Sequence, residues 1–233
     1  IEIDVKAGEV LTYSGAAVNL DNSTLTLSGG GTLGNTNALV LNNANSKLLL
    51  NSITLGSVST TADSLGLDVD NNSTITALSV GHITPVSIAA GKSLSGAVSV
   101  TAGSLKLNET GTLASTVAMG GGILDTDESS TVSGALTQTA DITIDVADNK
   151  TLTYTGAAVN LGAKTLTLSG GGKLGNTNAL VLNNANSKLL LNSITVDSVS
   201  TSLANSGLDV DNNSTITALS VGHITPVSIA TGK

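Results

Sequence analysis

Short runs of alternating apolar and polar residues fill the chain, and each run breaks at a turn of small or polar residues. IDV-KAGE-VL leads to Leu11, LTL-SGGG-TL to Leu33, LDV-DNNS-TI to Ile75 and VSI-AAGK-SL to Leu94. LKL-NETG-TL ends at Leu113, LDT-DESS-TV at Val132 and IDV-ADNK-TL at Leu152. NANS-KL adds an anchor at Leu48 with a weaker left half. Alternation with period two on both sides of a turn is the pattern of half-buried strands, not of a helix. Thr, Val and Ile crowd the runs, as a pleated surface prefers. The anchors recur about every 20 residues, the beat of a solenoid. Only Leu48 is out of step: Leu33 and Ile75 lie 42 residues apart, so a different anchor between them would restore two steps near 21.

A longer repeat overlies this beat. Residues 142–233 restate residues 1–92 at a constant offset of 141, without insertion or deletion, and 73 of the 92 paired positions are identical. The sequence therefore comprises one unit, 1–141, and a second partial copy, 142–233. The fine beat runs through the junction, because VADNKTLTYTG at 146–156 is one more strand-turn-strand. The reading is all-β: one continuous parallel β-solenoid over 1–233, in coils of about 20 residues, with no separate globular domain. One coil cannot bury its inward face alone; stacking on the next coil completes the core and pairs the backbone. At the ~4.8 Å spacing of paired strands, about eleven coils make a rod of roughly 50–55 Å, and one 141-residue unit advances it about 33 Å.

The anchors predict one inward stack through Leu11, Leu33, Leu48, Ile75, Leu94, Leu113, Val132, Leu152, Leu174, Leu189 and Ile216. A second should run through Val98, Val117 and Leu136, with the turn residues forming an outer column. Ser57–Gly66 reads as a surface loop, because all five positions 61–65 differ from 202–206 between otherwise matching copies.

Composition narrows the function classes. The chain has no Phe, Trp or Cys, two Tyr and one Met, so its core is aliphatic and lacks the large aromatic anchors of ordinary enzymes. A net charge of −8 with nine scattered Lys and Arg argues against nucleic acid, which requires clustered cations. No apolar run approaches the ~18 residues that span a bilayer. The first residue is not an initiator, so the expectation is a segment of a longer polypeptide.

Candidate chemistry is sparse. His82 and His223 are one position in two copies, each without an adjacent acid, and read as turn residues. Asp68, Asp70 and Asn72, repeated as Asp209, Asp211 and Asn213, open like a calcium loop but lack its Gly and distal Glu; whether Asp68/Asp70 and Asp209/Asp211 hold calcium is left open by the sequence. Asp125, Asp127 and Glu128 cluster as the carboxylates of polysaccharide-cleaving β-helix enzymes do, but without aromatic sugar platforms. SGGGTLG occupies the same corner as KAGE and DNNS, so its glycines serve a tight turn. Hydroxyl pairs flank the anchors at Thr24/Thr26, Thr74/Thr76, Ser93/Ser95, Thr131/Ser133, Thr151/Thr153 and Thr215/Thr217. Such pairs could form the ladder of an ice- or mineral-binding solenoid. Lys47 and Lys173 interrupt it, and ordinary strand composition explains the pairs better. No catalytic, cofactor or metal residues are assigned, and no enzyme activity is expected.

TLTLSGGGTL, ITIDVADNKTLTYTG and SLKLNETGTLAST resemble the degenerate coils of repetitive bacterial surface proteins, namely autotransporter passengers and filamentous-haemagglutinin-like adhesins. The resemblance spans the chain but carries no catalytic motif. It implies a right-handed parallel β-helix at the bacterial cell surface, serving as stalk, adhesin or filament. The tight 141-residue identity departs from the looser coils of passengers and points to a fibre whose length scales with repeat number. Self-association end to end or laterally is the partner expectation.

Overall fold

The computed structural model describes residues 1–204, 206–223 and 225–231. All regular elements among them are β-strands, and the strands pair in parallel. Each coil begins with a strand of a first ladder, which runs from Glu2–Asp4 through Thr24–Ser28, Lys47–Asn51 and Gly66–Val69 to Val227–Ile229. A corner leads into a second ladder (Val10–Tyr13, Thr32–Asn35) and a bend into a third (Val18–Asn19, Leu39–Leu41). Longer strands such as Thr54–Thr60 and Ser73–Val80 serve the second and third ladders at once. About eleven turns of about 20 residues result, the parallel β-solenoid that the alternation predicts. The ladders cross the sequence junction: Ile123–Thr126 pairs with Ile142–Val146, and Ser130–Val132 with Thr151–Tyr154.

Aliphatic columns fill the interior. The predicted second stack is present, Leu39, Val58, Leu78, Val98, Val117 and Leu136 lying in register and buried. A column of Leu27, Leu50 and Val69 lines the first ladder. The anchor column needs one correction. Leu48 and Leu189 belong to the first ladder, paired with Leu25 and Leu67 and with Leu166 and Leu208. The residues between Leu33 and Ile75, and between Leu174 and Ile216, are Leu55 and Val196. In KLLLN an apolar residue stands at both parities, so alternation does not reveal which corner NANS makes.

The register of this column also slips twice. Leu94 pairs with Ser73 instead of Ile75, and Leu152 with Ser130 instead of Val132. Each slip is two residues, which preserves the side-chain face and keeps Leu94 and Leu152 inside.

The expected loop at Ser57–Gly66 is not there. Residues 57–60 finish the strand Thr54–Thr60, with Val58 and Thr60 buried, and Gly66 opens the next strand. Only 61–65 connect the two, and within 57–66 the variation between copies is confined to them; their counterparts 202–206 include Asn205, which lies outside the described residues. A corner between ladders carries no inward anchor, so it drifts freely without protruding.

Buried polar groups close the wider corners at the start of each copy. Asn35 donates from Nδ2 to the carbonyls of Asn37 and Ser57 (2.9 and 2.7 Å) and accepts the Gly56 N–H at Oδ1 (2.9 Å). Asn176 repeats this with Asn178, Ser198 and the Asp197 N–H. Tyr154 donates to the Ala157 carbonyl (2.7 Å) and accepts the Leu136 N–H (3.1 Å). Substitutions between the copies respect the backbone. Gly8 (φ 81°) becomes Asn149 (φ 59°), and Asp21 (φ 47°) becomes Gly162 (φ 57°), exchanges among the residue types that tolerate the left-handed region.

Candidate functional surfaces

Outward positions of the first ladder carry nine charged residues, from Glu2 and Asp4 to Lys188 and Asp209. Leu105, Leu107, Leu124, Ile144 and Val146 point inward, so Lys106, Asp125 and Asp145 point outward. They stack on successive coils in register with one another and with Ser169. Lys106 Nζ lies 3.3 Å from Asp125 Oδ2 and 2.9 Å from Asp127 Oδ2. The Ser169 hydroxyl donates to Asp145, and in the first copy Ser28 donates to Asp4 at 2.9 Å.

This column contains the sequence cluster of Asp125, Asp127 and Glu128, and it is split. Asp125 and Asp127 share one ammonium, whereas Glu128 turns to Lys150 at 2.6 Å. Burial pushes the Asp125 carboxyl above its usual range, against the pull of Lys106. The hydrogen bond to Asp127 raises Lys106 in turn. Three cavities lie elsewhere: an end pocket of about 340 Å³ beside Leu11 and Tyr13, a core void beside Leu136, and a shallow polar depression at Ser52 and Asn72.

The calcium-like stretch is likewise distributed. Asp68 faces outward in the first ladder and binds Lys47 of the coil below at 2.5 Å; Asp209 binds Lys188 at 2.6 Å. The bond from Lys188 holds the Asp209 carboxyl below its usual range. Asn71 donates to the Asn51 side chain (2.7 Å), and Asn72 accepts the Ser93 N–H (2.9 Å). Among the described residues no three His, Cys, Asp or Glu converge as metal ligands. Asp68 and Asp209 are committed to neighbouring coils instead.

His82 sits at a coil corner, as a turn residue would. The structure adds a partner that adjacency in sequence does not show: Asp63 Oδ1 from the coil below lies 3.8 Å from Nδ1. Asp63 is replaced by Ala204 in the second copy, so His223 does not inherit the contact.

The hydroxyl pairs fall on two faces. Thr24/Thr26 flank a first-ladder strand, the others second-ladder strands. Lys47 also lies on the first ladder and therefore does not interrupt the others. The runs that do align are Thr32–Thr54–Thr74–Ser95 and Ser93–Thr112–Thr131–Thr153, offset by the register slips. Lys173 breaks the run in the second copy. Among the described residues Thr74 and Ser95 join hydroxyl to hydroxyl at 2.7 Å.

One pair of substitutions between copies is concerted. Thr32 and Gly56 of the first copy become Lys173 and Asp197, whose side chains meet across adjacent coils at 2.8 Å. All the lysine-carboxylate pairs described here join one coil to its immediate neighbour. Their positions follow from period two and coil length combined, and the sequence period alone does not reveal them. No family model, curated protein or solved structure matches the chain.

Proposed function

We propose that this chain is a length of an extracellular structural fibre, a rigid stalk or adhesin repeat of a bacterial surface whose reach is set by repeat number. The observation that carries the reading is the coincidence of sequence repeat and structural repeat. Thr24–Ser28, Thr54–Thr60 and Gly66–Val69 recur as Thr165–Ser169, Thr195–Thr201 and Gly207–Val210, with ladders continuing between them. Stability in such an array is a sum of coil and nearest-neighbour terms, so adding a unit lengthens the rod without redesign. The inter-coil ion pairs suit a mechanical role.

Proteins with one, two and three 141-residue units test the scaling. Small-angle scattering should show the longest dimension growing by about 33 Å per unit at constant cross-section; a globular increment would refute the rod. Antibodies to this chain should label the intact surface of the source cell, and label confined to the interior would refute the extracellular assignment.

A further inference from the structure

The stretch DNNST stands twice, at 70–74 and at 211–215. It places a hydroxyl two residues after an asparagine, the pattern of an N-glycosylation acceptor. Seven asparagines of the chain meet that pattern. In a sequence so rich in Asn, Ser and Thr the pattern alone selects nothing, and the structure separates them by the state of Nδ2, the atom that would take the sugar.

Asn71 donates through Nδ2 to the Asn51 side chain of the coil below (2.7 Å), and Asn212 repeats this with Asn192. Asn149 donates to the Asp148 carboxylate at 2.9 Å. Asn108 is half-buried and its Oδ1 is enclosed, so its amide is turned into the rod. Asn22 and Asn149 do not recur with the repeat, because the other copy has Ala163 and Gly8 in their places.

Asn72 differs from all of these. It is exposed in the corner between the strands Gly66–Val69 and Ser73–Val80. The strand that follows it is paired on both sides, with Thr54–Thr60 and Ser93–Val100, so this exposure belongs to the middle of the rod. Its Oδ1 accepts the Ser93 N–H at 2.9 Å and the Ser93 hydroxyl at 3.3 Å. These bonds hold the amide plane and leave Nδ2 without a partner among the described residues. The shallow depression of about 200 Å³ beside it is lined by Ser52, Thr54, Asn72 and Thr74, polar groups suited to a sugar.

The geometry points to Asn72 as a site of N-glycosylation, with Asn213 repeating it one 141-residue unit further on. The donor is a glycosyl phosphate brought by a separate transferase. Nδ2 attacks the anomeric carbon, and the bond from that carbon to the phosphate oxygen breaks as the N–C bond forms. The phosphate carrier leaves with the electron pair, and the Nδ2 proton passes to a base of the transferase. The step is a substitution and needs no oxidant or reductant. The amide keeps its carbonyl oxygen, so the bonds from Ser93 survive the modification. The inference rests on the extracellular reading above and adds a covalent modification that recurs with the repeat.

Peptide mapping by mass spectrometry with electron-transfer fragmentation, on protein isolated from the source cell, tests this. The expected result is a sugar mass increment on Asn72 and Asn213, with Asn71, Asn108 and Asn149 unmodified. A single sugar marks a nucleotide-linked donor, and a preassembled chain a lipid-linked one. Thr74→Val removes the hydroxyl while keeping a strand-favouring shape, and should abolish the increment at Asn72 and leave it at Asn213. Thr74→Ser should retain both. An unmodified Asn72 overturns the inference, and so does sugar on Asn71 in its place or a Thr74→Val protein still modified at Asn72. Antibody label on the cell surface together with an unmodified Asn72 leaves the extracellular reading intact; label confined to the interior with an unmodified Asn72 removes both.

Discussion

Leu11→Ala and Leu152→Ala form a matched pair of perturbations, because the same residue stands in nearly the same sequence at an open and a covered coil. Leu152 is 1% exposed, held between Ser130 below and Leu174 above; Leu11 is 45% exposed with Leu33 above. Truncating Leu152 removes a fully buried side chain and leaves a void between two layers, a loss of ~3–4 kcal/mol. At Leu11 nearly half of the surface is already in water and the space opens to solvent, so only part of the transfer energy is lost, about 1 kcal/mol. Urea unfolding followed by circular dichroism, at concentrations where the chain is monomeric, gives both values when the slope is unchanged. Hydrogen exchange over residues 143–160 checks that Leu152→Ala loosens the middle of the rod, because local opening is resolved coil by coil. Equal losses, within ~0.5 kcal/mol, would refute the argument that coil 123–138 supplies the burial.

Gly66→Ala should cost ~2–4 kcal/mol by thermal unfolding, because φ is +82° and a Cβ would stand 1.9 Å from the Pro85 carbonyl oxygen; Gly207→Ala, with its nearest atom at 3.9 Å, should cost less than 1 kcal/mol. A double-mutant cycle on Lys173→Thr and Asp197→Gly should give a coupling of ~0.2–1 kcal/mol that fades in 1 M salt, as exposed pairs do; a coupling insensitive to salt would count against a direct ion pair. Asp209 has its pKa lowered by Lys188, so its stabilising contribution is present above the unfolded carboxylate range. It is lost as pH falls through the depressed folded value, and Asp209→Asn should flatten this limb of the stability profile. Asp125 has its pKa raised by burial, the opposite sign: its favourable contribution is present below the unfolded value and is lost as pH rises through the folded one. Asp125→Asn should therefore raise the melting temperature at pH 7 relative to its effect near pH 3; a uniform shift at both would contradict the burial argument.

Alternation and beat alone determine that the chain winds as parallel coils, because a period of two chooses the buried face and a recurring turn chooses the coil length. The second aliphatic stack through Val98, Val117 and Leu136 was legible for that reason. Assignment to a ladder was not legible where alternation fails: KLLLN reads equally well on either face, and only its neighbours Leu25 and Leu67 fix Leu48 in the first ladder. The two-residue slips at Leu94 and Leu152 leave no trace in the pattern, since both registers keep the same side inward. Partners across coils are likewise tertiary. Lys106 between Asp125 and Asp127, and Asp63 beside His82, meet because coils of particular length lie one above another. Leu11 and Leu152 mark the limit most sharply, because a residue's own sequence states that it faces inward, and only the coil stacked against it decides whether that interior is closed.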